Sequence, residues 1–469
     1  MFFLQSQAGT SPAEQKAFIF EKRPLLKELI EKYGDLSLKD FAIANLKNLP
    51  TPAQERQEEF LRSFHKIVAS RLSIAKADEV KTQLEHYYGA SSADHHGTLN
   101  SSLPTSADLM LAAAAAELND PVLKNVVVLS CASVSLNNED YPRGLLFHSE
   151  KNGSYELQKL SILPSNSHSS LVYGFRPYTL EEIVKIEKAL HEKVRNGEVS
   201  PQEADKLFAV LTEIYKKPEI LSAPSLCDQF TQINYELWEK IFKNEPQAKS
   251  LIYVDLETLV TELLLENHLQ SESLIHKLIF DPSQATFLDS LTTAMEEFLR
   301  QGNLATHLFW WVNPEKNTRT KLQKKDGQLC TEDGAFSLPF TPEAVAQALR
   351  KKALMPNLLL IYTVIHLYYG FNCLGGFNQM HYLASMKEVY NRAGADSDLC
   401  QANSTLYNYG LNTLFLEAKR PALNLDLLLH GTGKTLEESQ EALSKIILAN
   451  AFESNWPIIY DILCNEPQP

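Results

Sequence analysis

An acid and two adjacent histidines stand in the segment SSADHHGTLNSS, residues 91–102. If this segment is extended, Asp94 and His96 share one side of the chain and His95 faces the other. An aspartate beside an imidazole can orient it for proton transfer, or both can bind a divalent metal ion. We therefore predict Asp94, His95 and His96 as catalytic residues, with Asp94 and His96 also as metal ligands. A polar turn capped by Gly97 is the alternative interpretation.

A second set of candidates lies in LSCASVSLNNEDYPRG, residues 129–144. Cys131 could act as a nucleophile if a histidine lowered its pKa, and packing as a small hydrophobic residue is the alternative. The polar side chains that follow offer amides, a phenol and a guanidinium, which suit a carboxylate or phosphate, although the same residues also favour a turn. The predicted substrate-binding residues here are Asn137, Asn138, Tyr141 and Arg143, joined by Arg176 as a second anion-binding group.

A third candidate region runs from 353 to 386, where the sequence has no Asp, Glu, Lys or Arg. Its apolar stretch approaches the length of a membrane span, but polar residues and Gly375–Gly376 interrupt it, so we expect a helix buried inside the protein. Buried polar groups need hydrogen-bond partners, either internal or from a ligand. We predict His366, Asn372 and Gln379 as substrate-binding residues on a helix that closes the pocket.

The elements that must position these residues are helical at both ends of the chain. Capping boxes are predicted at Ser11, Thr179 and Ser200, each with glutamate three residues on. The segment NVVVLSC is typical of a strand buried on both faces. Asn152–Gly153 and Asp326–Gly327 predict β-hairpins. The expected fold class is mixed α+β, mostly helical, with a small central sheet that has antiparallel elements, formed largely by 125–178, between helical lobes.

These patterns divide the chain into five predicted parts. The parts are an N-terminal helical lobe at 1–90, a sheet-containing core with the candidate site at 91–178, a helical segment at 179–250, a mixed α/β segment with a hairpin at 251–340 and a C-terminal helical lobe at 341–469.

Composition limits the function classes. The 469 residues are 44% hydrophobic and 22% charged, as in an ordinary globular protein. A net charge of −14 disfavours binding to nucleic acid or to an anionic membrane. The six cysteines are scattered without zinc-finger spacing, and the first residues lack a basic signal-peptide region. We expect a cytoplasmic protein without nucleic-acid or membrane partners.

The leading hypothesis is a soluble enzyme of small-molecule metabolism, of hydrolase or lyase type, acting on a polar or anionic substrate by acid–base or metal-assisted chemistry. A divalent metal is the cofactor that the candidates could bind, and no nucleotide-cofactor motif is found, since HGTGKT has Leu428 where a P-loop needs glycine. The oligomeric state stays open. One alternative is a non-catalytic protein-binding factor, which predicts an exposed DHH segment. Another is a transferase or amidase that depends on Cys131.

Overall fold

The structure is a computed structural model. It describes residues 10–50, 53–138, 140–242, 249–299, 306–393, 403–404, 422–431, 438, 441–453 and 456–464.

Thirteen strands are found in these described residues. They are β1 (Gly89–His95), β2 (Asn125–Cys131), β3 (Gly144–Lys151), β4 (Ser154–Ser161), β5 (Ser250–Asp255), β6 (Phe309–Val312), β7 (Arg319–Lys321), β8 (Gln323–Lys325), β9 (Gln328–Cys330), β10 (Ser337–Pro339), β11 (Leu354–Pro356), β12 (Asn372–Gly375) and β13 (Asn403–Ser404).

Helices make up most of the remaining described chain. The α-helices are Pro12–Lys22, Pro24–Tyr33, Leu38–Lys47, Gln54–Arg71, Ile74–His86, Ser102–Leu118, Leu180–Arg195, Pro201–Val210, Pro218–Leu221, Leu226–Phe242, Leu256–Leu263, Leu274–Phe280, Ala285–Leu299, Pro342–Arg350, Leu358–Tyr362, Phe377–Arg392, Asn424–His430, Leu448–Glu453 and Trp456–Cys464. Short π-helical segments are Leu211–Tyr215, Leu264–His268 and Thr363–Tyr368, and 3-10 turns are Ser165–Ser167 and Pro282–Gln284.

The central sheet of the described chain has five parallel strands in the order β13-β12-β1-β2-β5. From β1 the chain places β2 and then β5 on one side, and it later returns to place β12 and β13 on the other side. The strand order therefore reverses between β1 and β12. In parallel sheets of this kind, ligands bind beyond the carboxyl ends of the strands at such a reversal.

Both faces of this sheet are covered by buried apolar side chains. In β2, Val126 and Val128 belong to one hydrophobic cluster, whereas Val127 and Leu129 belong to another. Because successive side chains of a strand point to opposite faces, the two clusters lie on opposite sides of the sheet. This arrangement confirms the strand predicted from NVVVLSC and explains why it is uncharged.

Local sequence signals predicted several elements correctly. Asn152 and Gly153 join β3 to β4 with φ angles of 52° and 75°, and Asp326 and Gly327 join β8 to β9 with 49° and 73°. Positive φ at both turn residues is what a tight hairpin of type I′ requires. The capping boxes that begin at Ser11, Thr179 and Ser200 are also present.

The predicted fold class is confirmed, since the described chain is mixed α+β, mostly helical, with small sheets, several of them antiparallel. The prediction that 125–178 supplies most of the central sheet was wrong. Only β2 of that range joins it, and the β3–β4 hairpin forms a separate two-stranded sheet. The other central strands come from distant parts of the chain, so no local pattern could reveal their pairing.

The uncharged segment 353–386 is not one helix. A helix at Leu358–Tyr362 continues as the π-helical turn Thr363–Tyr368, and β12 and the helix Phe377–Arg392 follow. The segment lacks charge because most of it is buried, both in these helical turns and in β12 of the central sheet. Within the described residues, no helix is long and apolar enough to cross a membrane.

Candidate functional site

Several side chains that could do chemistry meet at the carboxyl edge of the central sheet. Asp94 lies near the end of β1, Cys131 ends β2, Asp255 ends β5 and Gly375 ends β12. Parallel strands bring these ends to the same edge, which is where open sheets of this type bind their ligands. The residue types at this edge therefore decide what the site can do.

Asp94 is the acid at the end of the central strand. Its side chain is buried, and its Oδ1 accepts a hydrogen bond from the backbone N–H of His95 at 2.9 Å. Burial and the nearby charge of Asp140 raise the pKa of Asp94 to about 7. The Tyr253 side chain, which counteracts this rise in part, donates its hydroxyl to the carbonyl oxygen of His95 at 2.7 Å. A carboxyl group with this pKa can both give and accept a proton at neutral pH.

Asp108 is a second buried acid of this region, and the sequence analysis missed it. It lies in the helix Ser102–Leu118 and is 1% exposed. Its carboxylate oxygens make no hydrogen bond of ordinary geometry in the described chain, and the nearby Ser91 side chain is the group that favours its charged form. Burial and the charge of Asp94 raise its pKa well above the usual value. The available signal was a lone acid before the apolar run LMLAAAAAEL, where a charge is costly to bury.

The segment that contains Asp94 meets the loop that contains Asp140. His95 is exposed and its Nδ1 lies 3.0 Å from Asp140 Oδ2. The Asn100 side-chain amide donates to the carbonyl oxygen of Asp140 at 2.8 Å. Two of the sequence motifs singled out as candidates, DHHG and NNEDYPRG, are thus adjacent in the structure.

Most predicted polar residues of that loop maintain the loop itself. Asn137 is exposed, and Asn138 donates to the carbonyl oxygen of Ser135 at 2.6 Å and accepts from the backbone N–H of Asp140 at 2.9 Å. These are bonds of a turn, the alternative that the sequence left open. The hydroxyl of Tyr141 is bonded to a serine hydroxyl of β4.

The two predicted anion-binding arginines have different surroundings. Arg176 forms two bonds with the carboxylate of Glu182, at 3.0 and 2.6 Å, so its charge is already neutralised. Arg143 donates to the Ser161 hydroxyl at 3.0 Å and lies over the ring of Tyr141. The contacts of Arg143 are therefore with the candidate loop and β4, whereas the partner of Arg176 is Glu182.

His96 is fully buried and hydrogen-bonded at both ring nitrogens. Its Nε2 donates to the carbonyl oxygen of Cys227 at 3.0 Å, and its Nδ1 lies 2.7 Å from the Ser130 hydroxyl. Burial lowers its pKa, so the ring is neutral, and it stacks on Tyr253 with 5.2 Å between ring centroids. The predicted hydrogen-bonded pair with Asp94 is replaced by these contacts.

Within the described residues, one group of side chains has ligand atoms close enough for a metal ion: His96, Cys227 and Asp255, whose atoms lie within 4.8 Å of one another. Its members already have partners. Arg71 Nη1 lies 2.7 Å from Asp255 Oδ1, and this buried cation lowers the pKa of Asp255 far below its usual value. Arg71 also pairs with Asp228 at 2.6 Å. The guanidinium supplies the positive charge that a metal would bring, so this group fits an ion-pair network better than a metal site. Asp94, the other predicted ligand, is not part of it.

Cys131 lies among acids and hydroxyls. Its Sγ is 3.1 Å from the Ser133 hydroxyl and 3.4 Å from Glu257 Oε1. Glu257 also accepts the backbone N–H groups of Ala132 and Ser133 at 2.7 and 2.8 Å, which fixes the loop after β2. Burial and the Glu257 carboxylate raise the pKa of Cys131 well above that of a free thiol. This environment suppresses the thiolate that a nucleophilic cysteine needs.

The three polar residues of the uncharged segment lie in different elements. His366 donates from Nδ1 to the carbonyl oxygen of Phe371 at 3.0 Å, and burial lowers its pKa to about 4. Asn372, in β12, donates to the carbonyl oxygen of Tyr88 at 2.8 Å. Gln379 donates to the hydroxyl of Ser92, a residue of β1, at 2.7 Å. The expectation that a helix with His366 and Asn372 closes the pocket was wrong, because Asn372 belongs to the sheet.

Neither a scan against models of known protein families nor a search of curated proteins finds a match to this chain.

Proposed function

We propose that the protein is an enzyme that acts on a small polar molecule by acid–base chemistry of hydrolase or lyase type. The observation that carries the proposal is Asp94, a buried acid at the strand-order reversal with a pKa of about 7. Active sites hold acids at shifted pKa values by burial and neighbouring charge, and a general acid or base works best with a pKa near the operating pH. Cytoplasmic location and a small-molecule substrate are part of the same proposal.

The residue roles in this proposal follow from the contacts. Asp94 acts as the general acid or base. The backbone N–H of His95 orients it, and Tyr253 holds the carbonyl oxygen of His95. Gln379 and Ser92 provide polar groups on the β12 side. His96 is a positioning residue. It is bonded to Ser130 and Cys227, and its ring stacks on Tyr253, which in turn bonds the carbonyl oxygen of His95.

The two alternatives receive less support from the same contacts. A non-catalytic binding factor predicts an exposed DHH segment, whereas Asp94 and His96 are buried. A cysteine-dependent enzyme needs a thiolate, whereas the bonded partners of Cys131 include the Glu257 carboxylate.

Metal-assisted chemistry is tested by elemental analysis of purified protein, comparing wild type with His96→Ala. Near-stoichiometric metal that is lost in the variant would replace the metal-free proposal.

The proposal is tested by incubating the protein with a small-metabolite extract and following all metabolites by mass spectrometry. We expect wild type to consume at least one compound, with Asp94→Asn at least 100-fold slower. The exposed Glu156→Gln, which removes a carboxylate from β4, is the matched control and retains full activity. With the compound identified, kcat/KM against pH has an inflection near pH 7. An extract that wild type leaves unchanged, or one that Asp94→Asn changes equally, overturns the proposal.

A further inference from the structure

A cavity of about 740 Å³ lies between the helices Gln54–Arg71 and Ile74–His86. This volume is in the range of small-molecule binding sites. All nine residues that line the cavity belong to these two helices, so it is separate from the carboxyl edge of the central sheet. Eight of the nine have polar or charged side chains, which suits a polar ligand.

Two contacts between the helices define which residues face each other across the cavity. His65 Nε2 lies 2.7 Å from Asp78 Oδ1, and the Gln57 side-chain amide donates to the carbonyl oxygen of Glu85 at 3.2 Å. Residue numbers therefore fall on the first helix as they rise on the second, so the two helices are antiparallel. Because both helices rise by about 1.5 Å per residue, the remaining pairs can be counted from the His65–Asp78 contact.

Like charges face each other in this register. Arg62, three residues before His65, lies opposite Lys81, and Glu58, one turn further, lies opposite Glu85; all four line the cavity. Like charges repel, so packing of the two helices does not favour this pattern. The cavity thus has a pair of cations beside a pair of carboxylates.

The neighbouring groups leave these four charges available to a ligand. Arg62 donates to the Asn267 amide oxygen at 3.2 Å, and Glu58 accepts a hydrogen bond from a glutamine of its own helix at 2.9 Å. Lys81 Nζ lies 3.9 Å from Glu85 Oε1, which is a long distance for an ion pair, and the two side chains are 46% and 45% exposed. Ion pairs this exposed contribute little to stability, so a ligand can compete with this one.

The spacing of the two pairs selects the kind of ligand. The cation pair and the carboxylate pair are four residues apart on each helix, which is about 6 Å. In an α-amino acid one carbon separates the carboxylate from the ammonium, and charge-assisted hydrogen bonds add roughly 2.8 Å at each end. An amino acid therefore spans both pairs, whereas a simple anion or a simple cation meets only one of them.

We propose that this cavity binds a free α-amino acid as a zwitterion, with its carboxylate held by Arg62 and Lys81 and its ammonium held by Glu58 and Glu85. The proposal is independent of the proposed function, because the cavity shares no residue with the site at the carboxyl edge of the sheet.

The test is saturation-transfer NMR on the full-length protein in low-salt buffer at pH 6.5, where an α-amino group is protonated. Leucine and glutamine are each compared with their amide, which lacks the carboxylate, and with their N-acetyl form, which lacks the ammonium. We expect at least one of the two amino acids to receive at least five-fold stronger transfer than both of its derivatives.

Two variants locate the binding. Arg62→Gln and Glu85→Gln are each expected to remove the preference for the amino acid, because each removes one charge of the cavity. Lys188→Gln is the matched control, since it removes an exposed charge from the helix Leu180–Arg195, and it retains the preference.

The proposal is overturned if the amino acids and their derivatives receive equal transfer in the wild type, or if no probe receives any. A preference that survives in either Arg62→Gln or Glu85→Gln overturns it as well, because the ligand then lies elsewhere. Circular dichroism verifies that each variant is folded. If Arg62→Gln is not, Lys81→Gln takes its place with the same expectation.

Discussion

The raised pKa of Asp94 lowers the stability of the folded protein at neutral and higher pH. The folded protein retains the Asp94 proton up to a pKa of about 7, whereas an unperturbed aspartate releases it near 3.8. The folded state therefore binds more protons than the unfolded state between these values. Its contribution to stability is present below pH 3.8 and is lost as the pH rises to about 7.

We predict that Asp94→Asn stabilises the protein at pH 8 and leaves stability nearly unchanged at pH 4. The expected gain at pH 8 is about 2–4 kcal/mol, because a pKa shift of one unit corresponds to about 1.4 kcal/mol. Urea unfolding at both pH values measures it. An asparagine variant that is less stable than wild type at pH 8 would contradict the raised pKa.

Arg71 is a second residue whose environment predicts a measurable effect. Its guanidinium is buried between Asp228 and Asp255, at 2.6 and 2.7 Å. We predict that Arg71→Met lowers the free energy of unfolding by about 3–5 kcal/mol, since it leaves the buried Asp255 carboxylate without its cation. Adding Asp255→Asn to this variant should restore part of the loss, because it removes one unpaired charge. Denaturant unfolding of the single and double variants decides this, and a loss below about 1 kcal/mol for Arg71→Met would show that the ion pair is dispensable.

At the scale of elements, the turn from β12 into the helix Phe377–Arg392 connects two parts of the site. A methyl group added to Gly375 would meet the Gln379 side chain at 2.1 Å, whereas one added to Gly376 would meet no atom within 4 Å. The absent side chain at Gly375 thus allows Gln379 to reach Ser92. Glycine at this position reflects close packing between a strand end and the helix that follows it.

We predict that Gly375→Ala displaces Gln379 from Ser92 and lowers stability by about 1–3 kcal/mol, the cost of leaving buried polar groups unsatisfied. Gly376→Ala is the matched control, with an expected cost below about 1 kcal/mol at this helix N-cap. Thermal unfolding compares the two variants. Equal losses would mean that the Gln379 contact does not stabilise this turn.

At the scale of the whole molecule, side chains on the two faces of the central sheet contribute to the two hydrophobic clusters. Val128 and Leu129 are neighbours in β2, yet each packs into a different cluster. Trp238 lies in the first cluster and Trp311 in the second, so tryptophan fluorescence reports on both. Loss of the sheet would expose both clusters together.

We therefore predict a single cooperative unfolding transition, with the same midpoint by tryptophan fluorescence and by far-ultraviolet circular dichroism. Leu129→Ala should shift both midpoints equally, with a loss of about 2–5 kcal/mol typical of a buried leucine. Two separated transitions, or a shift seen by one probe only, would show that the clusters unfold independently.

The sequence by itself determined the features whose causes are local. Asn152–Gly153 and Asp326–Gly327 specify their hairpins because only a few residue types accept positive φ at both turn positions. The capping boxes depend on residues three apart, and NVVVLSC is uncharged because both faces of β2 are buried. Sequence also selected Asp94, because it stands beside two histidines.

Only the tertiary structure decided which groups meet. His96 contacts Cys227, 131 residues away, and the pKa of Asp94 is raised by burial and by the charge of Asp140, which lies in a different loop. Asp108 lies near Asp94 because the helix after β1 packs beside the central strand, whereas its immediate sequence neighbours are apolar. The order of parallel strands and the burial of their ends arise from contacts between distant segments, and no periodicity within one segment encodes them.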